Sequence, residues 1–325
     1  YTTASDRITY ELRVDIRILY CGAGSTLLQC VSQQMMFSRS AELPRTAENP
    51  TLTLRPRITY SNCRAVSPRR LEARGAVSVQ IRVTGDRRQE VIRDVFGMHV
   101  QLRKIPVEYA AQKRSAVKNI TLSEEVELGA AKPPIRSIVR NNVRLVHQET
   151  SILAGKLIVK GDAEVQLLYT WQKDDGSGGM ESMQFTLPYS QIVDMEQIDE
   201  SYRGSAEAQV IRCDLKPSAE VLQCEIELRL CCTAIQTASV QLVTDAFSTC
   251  YQTPVSVQID MAPEPVHSSM ACSAVIRPGD RIPECIYDLQ CQVRNINMQL
   301  LSDTNRIRVS GMLCCSLLAA DAEGM

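Results

Sequence analysis

Histidine is scarce: His99, His147 and His267 are the only three in 325 residues, and they lie far apart in the chain. A general base would have to be a carboxylate, and no carboxylate stands out. No G-x-S-x-G, G-x-x-x-x-G-K-[ST], H-E-x-x-H or G-x-G-x-x-G string occurs, so the sequence offers no nucleophile elbow, phosphate loop, zincin helix or dinucleotide turn. Gly155-Lys156 lacks the upstream glycine of a phosphate cradle, and GSGG at 176–179 reads as a hairpin tip. Net charge of one sign is also missing. Lys plus Arg number 36 and Asp plus Glu 37, giving a formal charge of -1 and no global field for nucleic acid or an anionic membrane. The longest apolar runs, such as LCCSLLAA, fall far short of the roughly 20 residues that span a bilayer as a helix. No signal peptide is visible, although the chain opens on Tyr1 and a removed export signal stays open. These absences argue against an enzyme, a cofactor, a nucleic-acid partner and a membrane partner.

Cysteine, by contrast, is abundant. Thirteen are present, including the doublets Cys231-Cys232 and Cys314-Cys315. None forms the short C-x-x-C hook of a zinc site, and no histidine lies near a cysteine pair, so no metal is expected. The odd count leaves at least one thiol free or shared between chains. Adjacent residues of a strand point to opposite faces, so a doublet in a strand makes neither a shared metal site nor a ready disulfide with itself. One member can be a small core residue and the other a surface thiol. Cys250, Cys272 and Cys285, in or beside loops, lead the candidates for interchain cross-links, followed by Cys21 and Cys30, with Cys314 and Cys315 in the last strand. One basic cluster, Arg64, Arg69, Arg70 and Arg74, sits around Pro68. It is either a solvated turn or a patch gripping an acidic protein surface.

The dominant pattern is alternation. In ITYELRVDIRILY at 8–20, Ile8, Tyr10, Leu12, Val14, Ile16 and Ile18 fall on one face. In LIVKGDAEVQL at 157–167, Leu157, Val159, Ala163, Val165 and Leu167 do the same. AVSVQIRV at 76–83, EIELRL at 225–230 and the spacing of Ile307, Val309 and Gly311 repeat it. Period two marks strands with one buried face. Turn chemistry separates them in CGAGS at 21–25, DDGSGG at 174–179, RPGD at 277–280 and SDTN at 302–305. Only 190–202 offers a short helix, and it reads equally as a strand and turn. The expected class is all-β, with antiparallel sandwich-like domains.

Self-similarity orders these strands. ILY at 18–20 recurs as LLY at 167–169, Asp94 before Phe96 as Asp245 before Phe247, and VKGD at 159–162 as VSGM at 309–312. All three keep a period near 150 residues. The expected units are 1–86, the later part of a repeat, 87–237, a complete repeat, and 238–325, the earlier part of the next.

The strings KLIVKGDAEVQLLY and FTLPYSQIVDM, with RITYELRVDIRILYC and AEVLQCEIELRLCCTA on either side, resemble the SPOCS-domain proteins of endospore-forming Firmicutes. There, V-K-G-x-x-x-V-x-[IL]-L-Y and P-[FY]-S-Q recur. The resemblance runs from about residue 7 to 319. It implies a structural spore-envelope protein made in the mother cell, with no catalytic residues. Self-assembly follows as the expected function, head-to-tail into a filament or layer, with thiols free during assembly and oxidised after mother-cell lysis. The alternative is a non-polymerising adaptor that docks on a spore-coat morphogenetic partner. A LysM module, present in a known member, has no counterpart after Leu318, so peptidoglycan binding is not implied.

Overall fold

The computed structural model describes residues 1–4, 6–22, 28–43, 48–86, 88–129, 132–172, 178–218, 221–252, 275, 285–301 and 306–320. Among these the chain forms thirteen strands and no helix. In chain order they are β1 (Thr2–Ala4), β2 (Arg7–Cys21), β3 (Leu28–Glu42), β4 (Glu48–Ser67), β5 (Arg70–Asp86), β6 (Val100–Glu127) and β7 (Ser137–Leu153). Then come β8 (Lys156–Gln172), β9 (Gly178–Asp194), β10 (Tyr202–Pro217), β11 (Val221–Ser248), β12 (Cys285–Leu301) and β13 (Arg306–Ala320). Every pairing is antiparallel. The 190–202 stretch resolves as the end of β9 followed by a turn: the Ser201 amide and hydroxyl both donate to the Asp199 carboxylate, holding it below the usual range. Short polar side chains compete with a helical backbone in this way.

Two three-stranded sheets form the centre, in orders β7-β8-β9 and β10-β11-β6. They stack face to face. Leu157, Val159, Ala163 and Val165 of β8 meet Cys224, Ile226, Leu228, Leu230, Cys232 and Ala234 of β11 in one core. The period-two pattern explains why: each strand buries every second side chain against the opposite sheet. β11 and β6 run 28 residues each and pair from Val221↔Glu127 to Ser248↔Val100. Gly155, with φ of 74°, makes the tight turn between β7 and β8, a left-handed position that glycine takes without strain.

Around this centre lie β1-β2-β3 and two hairpins, β4-β5 and β12-β13. The irregularities of β12-β13 resemble those of β7-β8. β7-β8 shifts register between Ile138 and Arg140 and again between Val146 and Glu149, while β12-β13 shifts between Ile286 and Asp288 and between Arg294 and Asn297. His147 and Asn295, inside the second shift of each, both adopt positive φ, 51° and 52°. β10-β11 shifts once, at Val210/Arg212, whereas β4-β5 shifts at Glu48/Thr51, Ile58/Tyr60 and Ala65/Ser67. β8 starts 149 residues after β2 (156 − 7), and β13 starts 150 after β8 (306 − 156). Bulges bend and twist a strand, so β7-β8 and β12-β13 bend at similar places.

The terminal elements rest on the outer face of β7-β8-β9. Val139, Leu168 and Met180 pack with Leu19, Cys30, Tyr287 and Leu318. Arg140 pairs with the buried Asp288 at 2.8 Å, and Arg17 donates to Asn141. On the opposite side, Arg55 of β4 reaches Glu207 of β10 at 2.7 Å.

Candidate assembly surface

Antiparallel register assigns the side chains of β12-β13 to two faces. Asp288 and Leu318, directly opposite each other, turn toward the central sheet. The pairs Leu289↔Leu317, Cys291↔Cys315 and Val293↔Leu313 lie on the other face. There Leu289 is 51% exposed, Val293 54%, Leu313 48% and Leu317 44%. Counting back by 150 residues places Ala163, Val165 and Leu167 opposite Leu313, Cys315 and Leu317 in the alignment, and all three are fully buried. Among the described residues, the same strand face is core in one hairpin and open in the other. Four half-exposed aliphatic side chains on two adjacent strands form a contiguous apolar surface of the kind that marks a contact site.

Residues 134–227, from just before β7 into β11, match a family model described as SipL, SPOCS domain. That central segment is similar to a SPOCS domain. The match is consistent with a sporulation-associated protein. No curated protein and no solved structure matches the chain. The matched SPOCS segment contains β7, β8, β9 and β10, and so most of the two-sheet core.

Outside the SPOCS match lie both ends of the chain and all of the predicted contact residues. Arg64 and Arg74 grip the two oxygens of Glu72, each through Nε at 3.0 Å and Nη2 at 2.7 Å. The two guanidinium groups hold the Glu72 carboxyl below its usual range. Two of the four arginines in the cluster thus face a carboxylate of their own hairpin. Arg69 and Arg70 stand exposed at the β4-β5 turn.

The structure separates the thiols into several environments. Cys21 ends β2 and is exposed, as is Cys250 just after β11. Cys30 is half-buried in the cluster with Val139, Leu168 and Met180; burial pushes its thiol up, against a lowering by Arg17. Cys272 lies outside the described residues. Cys285 opens β12, its backbone opposite Ala320. Cys314, half-buried, shares the inward face with Leu318, and Cys315 shares the outward one with Cys291. In the other doublet Cys232 is buried in the core and raised to about 11 by burial, while Cys231 on the opposite face is half-buried. Thiols held protonated in this way react slowly.

Two cysteine pairs were missed by the sequence reading. Cys213 of β10 and Cys224 of β11 hydrogen-bond across the hairpin, which lowers the Cys213 thiol, and Asn141 adds a donor at 3.6 Å. Cys291 and Cys315 are direct cross-strand neighbours with sulfurs 2.9 Å apart. A partial signal for the second pair was present: a hairpin loop at SDTN sets Cys291 opposite Ser316, and the register shift between Arg294 and Asn297 brings it opposite Cys315.

Between β4-β5 and the β10-β11-β6 sheet opens a cleft of about 690 Å³, walled by Leu52, Arg55, Ala116, Glu207, Cys231 and Thr233. Arg55 and Glu207 pair across it, and no histidine lines it.

Proposed function

We propose that this protein is a structural component of the spore envelope that assembles with copies of itself. The outward face of β12-β13 in one copy receives the head of the next, about residues 7–84. The carrying observation is the half-exposure of Leu289, Val293, Leu313 and Leu317 on a face whose aligned counterparts Ala163, Val165 and Leu167 are fully buried. A second copy is the favoured occupant because the chain itself carries the matching shape. In the centre, β10-β11 covers this face of β7-β8, and one of the register shifts of β4-β5, at Ile58/Tyr60, falls near the place of the β10-β11 shift at Val210/Arg212. β4-β5 also has apolar surface to offer, with Ile58 68% exposed opposite Val77. Such a contact is head-to-tail, and it builds a filament when its rotation does not close. Exposed Cys21 and Cys250 are the thiols best placed to become interchain cross-links after assembly.

Size-exclusion chromatography with light scattering tests this on the wild type and on Leu313→Glu/Leu317→Glu, each with and without reductant. Wild type is expected to form large species, and the double variant to remain monomeric, because two carboxylates on an apolar contact cannot be desolvated cheaply. A sharp wild-type monomer under both conditions overturns self-assembly and favours the adaptor reading, in which the same face docks on another coat protein.

A further inference from the structure

The outward face of β12-β13 has two thiols at its centre. Cys291 and Cys315 occupy directly opposed positions of an antiparallel ladder. Opposed residues there have Cα atoms about 4.5 or 5.5 Å apart, and both values lie within the range that a disulfide spans. Their sulfurs stand 2.9 Å apart, inside van der Waals contact. Both are reachable, Cys291 being exposed and Cys315 half-buried. Cys314, one residue away, points to the other face with Leu318 and does not share this geometry.

We propose that Cys291 and Cys315 form a single intrachain disulfide across β12-β13 when the protein meets a small-molecule disulfide such as oxidised glutathione. The more exposed thiol, Cys291, loses its proton and attacks one sulfur of the reagent. A mixed disulfide forms and one equivalent of reduced thiol leaves. Cys315 then loses its proton and attacks the Cys291 sulfur, releasing the second equivalent. The protein dithiol gives up two protons and two electrons, and the reagent disulfide takes them up as two thiols. The hydrogen bond to Cys291 raises the Cys315 thiol, consistent with its acting second.

The bond has a structural consequence. Among the described residues β12-β13 is a two-stranded sheet, and an isolated hairpin is marginal in water. Its register already shifts at Ile286/Asp288 and at Arg294/Asn297, and the cysteine pair lies between the two shifts. A one-residue slip would exchange the apolar outward face for the inward one. A bond at Cys291–Cys315 fixes the face that the proposed function uses, and it removes Cys315 from the interchain candidates. The bond itself does not depend on assembly.

Peptide mapping tests it on the intact chain. Equal amounts of ordinary and isotope-labelled protein are mixed, oxidised with glutathione disulfide, alkylated and digested with trypsin without reductant. The expected product joins residues 282–294 to 309–325, two hydrogens lighter than the separate peptides, with only single-isotope pairs. Because these peptides also contain Cys285 and Cys314, fragmentation must place the bond at Cys291 and Cys315. The Cys285→Ser/Cys314→Ser chain should keep the linked pair, and Cys291→Ser should lose it. Hybrid-isotope pairs, a bond placed at Cys314 or Cys285, or full alkylation of Cys291 and Cys315 after oxidation would each overturn the proposal. A monomer in the assembly experiment leaves this result untouched, so the two ideas fail separately.

Discussion

The β7-β8 and β12-β13 hairpins bend at corresponding places, yet they bury opposite amounts of the corresponding face. Val165 and Leu167 are fully buried beneath β11, whereas Leu317 is 44% exposed and Cys315 half-exposed. Local sequence sets the hairpin and its bulges in both. What differs is whether a second sheet lies over the face. Burial here is a property of the neighbour and not of the strand.

The largest test of this difference truncates the same aligned position in both hairpins. Leu167→Ala removes a side chain from the closed cluster with Tyr169, Met183 and Leu222, and should cost about 2–5 kcal/mol. Leu317→Ala removes one that water already reaches, and should cost less than about 1 kcal/mol in the unassembled chain. Urea denaturation of both variants decides it. Equal losses would mean that the tail face is covered in solution.

A smaller version uses the twin glycines. Gly161 lies opposite Tyr189, and a Cβ there would meet the tyrosine hydroxyl at 2.6 Å and its ring at 2.8 and 3.1 Å. A cross-strand aromatic commonly covers a strand glycine in this way. Gly161→Ala is therefore expected to destabilise by about 1–3 kcal/mol through overpacking. At Gly311 a Cβ would meet Val293 Cγ1 at 3.2 Å, the Arg294 carbonyl at 3.4 Å and Ile296 Cγ1 at 3.8 Å, and the side chains can yield. Gly311→Ala should be near neutral or slightly stabilising, since it also restricts the unfolded chain. Thermal melts of the pair check the ordering.

Alkaline pH reaches the centre through Tyr169. Its phenol is pushed up to about 12, by burial first and by the Glu181 carboxylate second. A raised folded value means its contribution is complete below the ordinary tyrosine value near 10 and is lost as pH climbs from there to about 12. Wild type should lose stability across that window, and Tyr169→Phe should lose less. Denaturation midpoints read against pH measure the gap, and identical profiles would refute it.

Much of this was legible in the sequence, though unevenly. Alternation at Ile8–Ile18 and Leu157–Leu167 predicted strands because period two has no other reading at that length. Turn residues marked the hairpins, as with SDTN between β12 and β13. The bulges were hidden: His147 and Asn295 take positive φ without being glycine, so no punctuation announced them. Nor did the pattern reveal exposure, since IRVSGMLCCSLL and LIVKGDAEVQLL alternate alike while, among the described residues, only one lies beneath a second sheet. The arginine cluster read as free charge because Glu72, between Arg70 and Arg74 in sequence, meets Arg64 only once the hairpin closes.

That cluster supplies the smallest expected effect. Glu72 accepts from Arg64 and Arg74, and all three side chains face water, where side-chain entropy and salt offset the attraction. Its carboxyl is held down by Arg64 first and Arg74 second, so whatever stability the trio contributes is present above the ordinary glutamate value near 4.3 and fades as pH falls below it. At neutral pH, Glu72→Gln should leave the melting temperature almost unchanged while releasing two guanidinium groups at the tip of β4-β5. The informative readout is binding. If the tip grips acidic protein surface, Glu72→Gln should bind an acidic peptide more tightly than wild type does, with the gain erased by salt, because each freed guanidinium can pair with the peptide in place of its own hairpin. Unchanged binding in low salt would reduce the cluster to a solvated turn, leaving the uncovered face of β12-β13 as the remaining contact candidate.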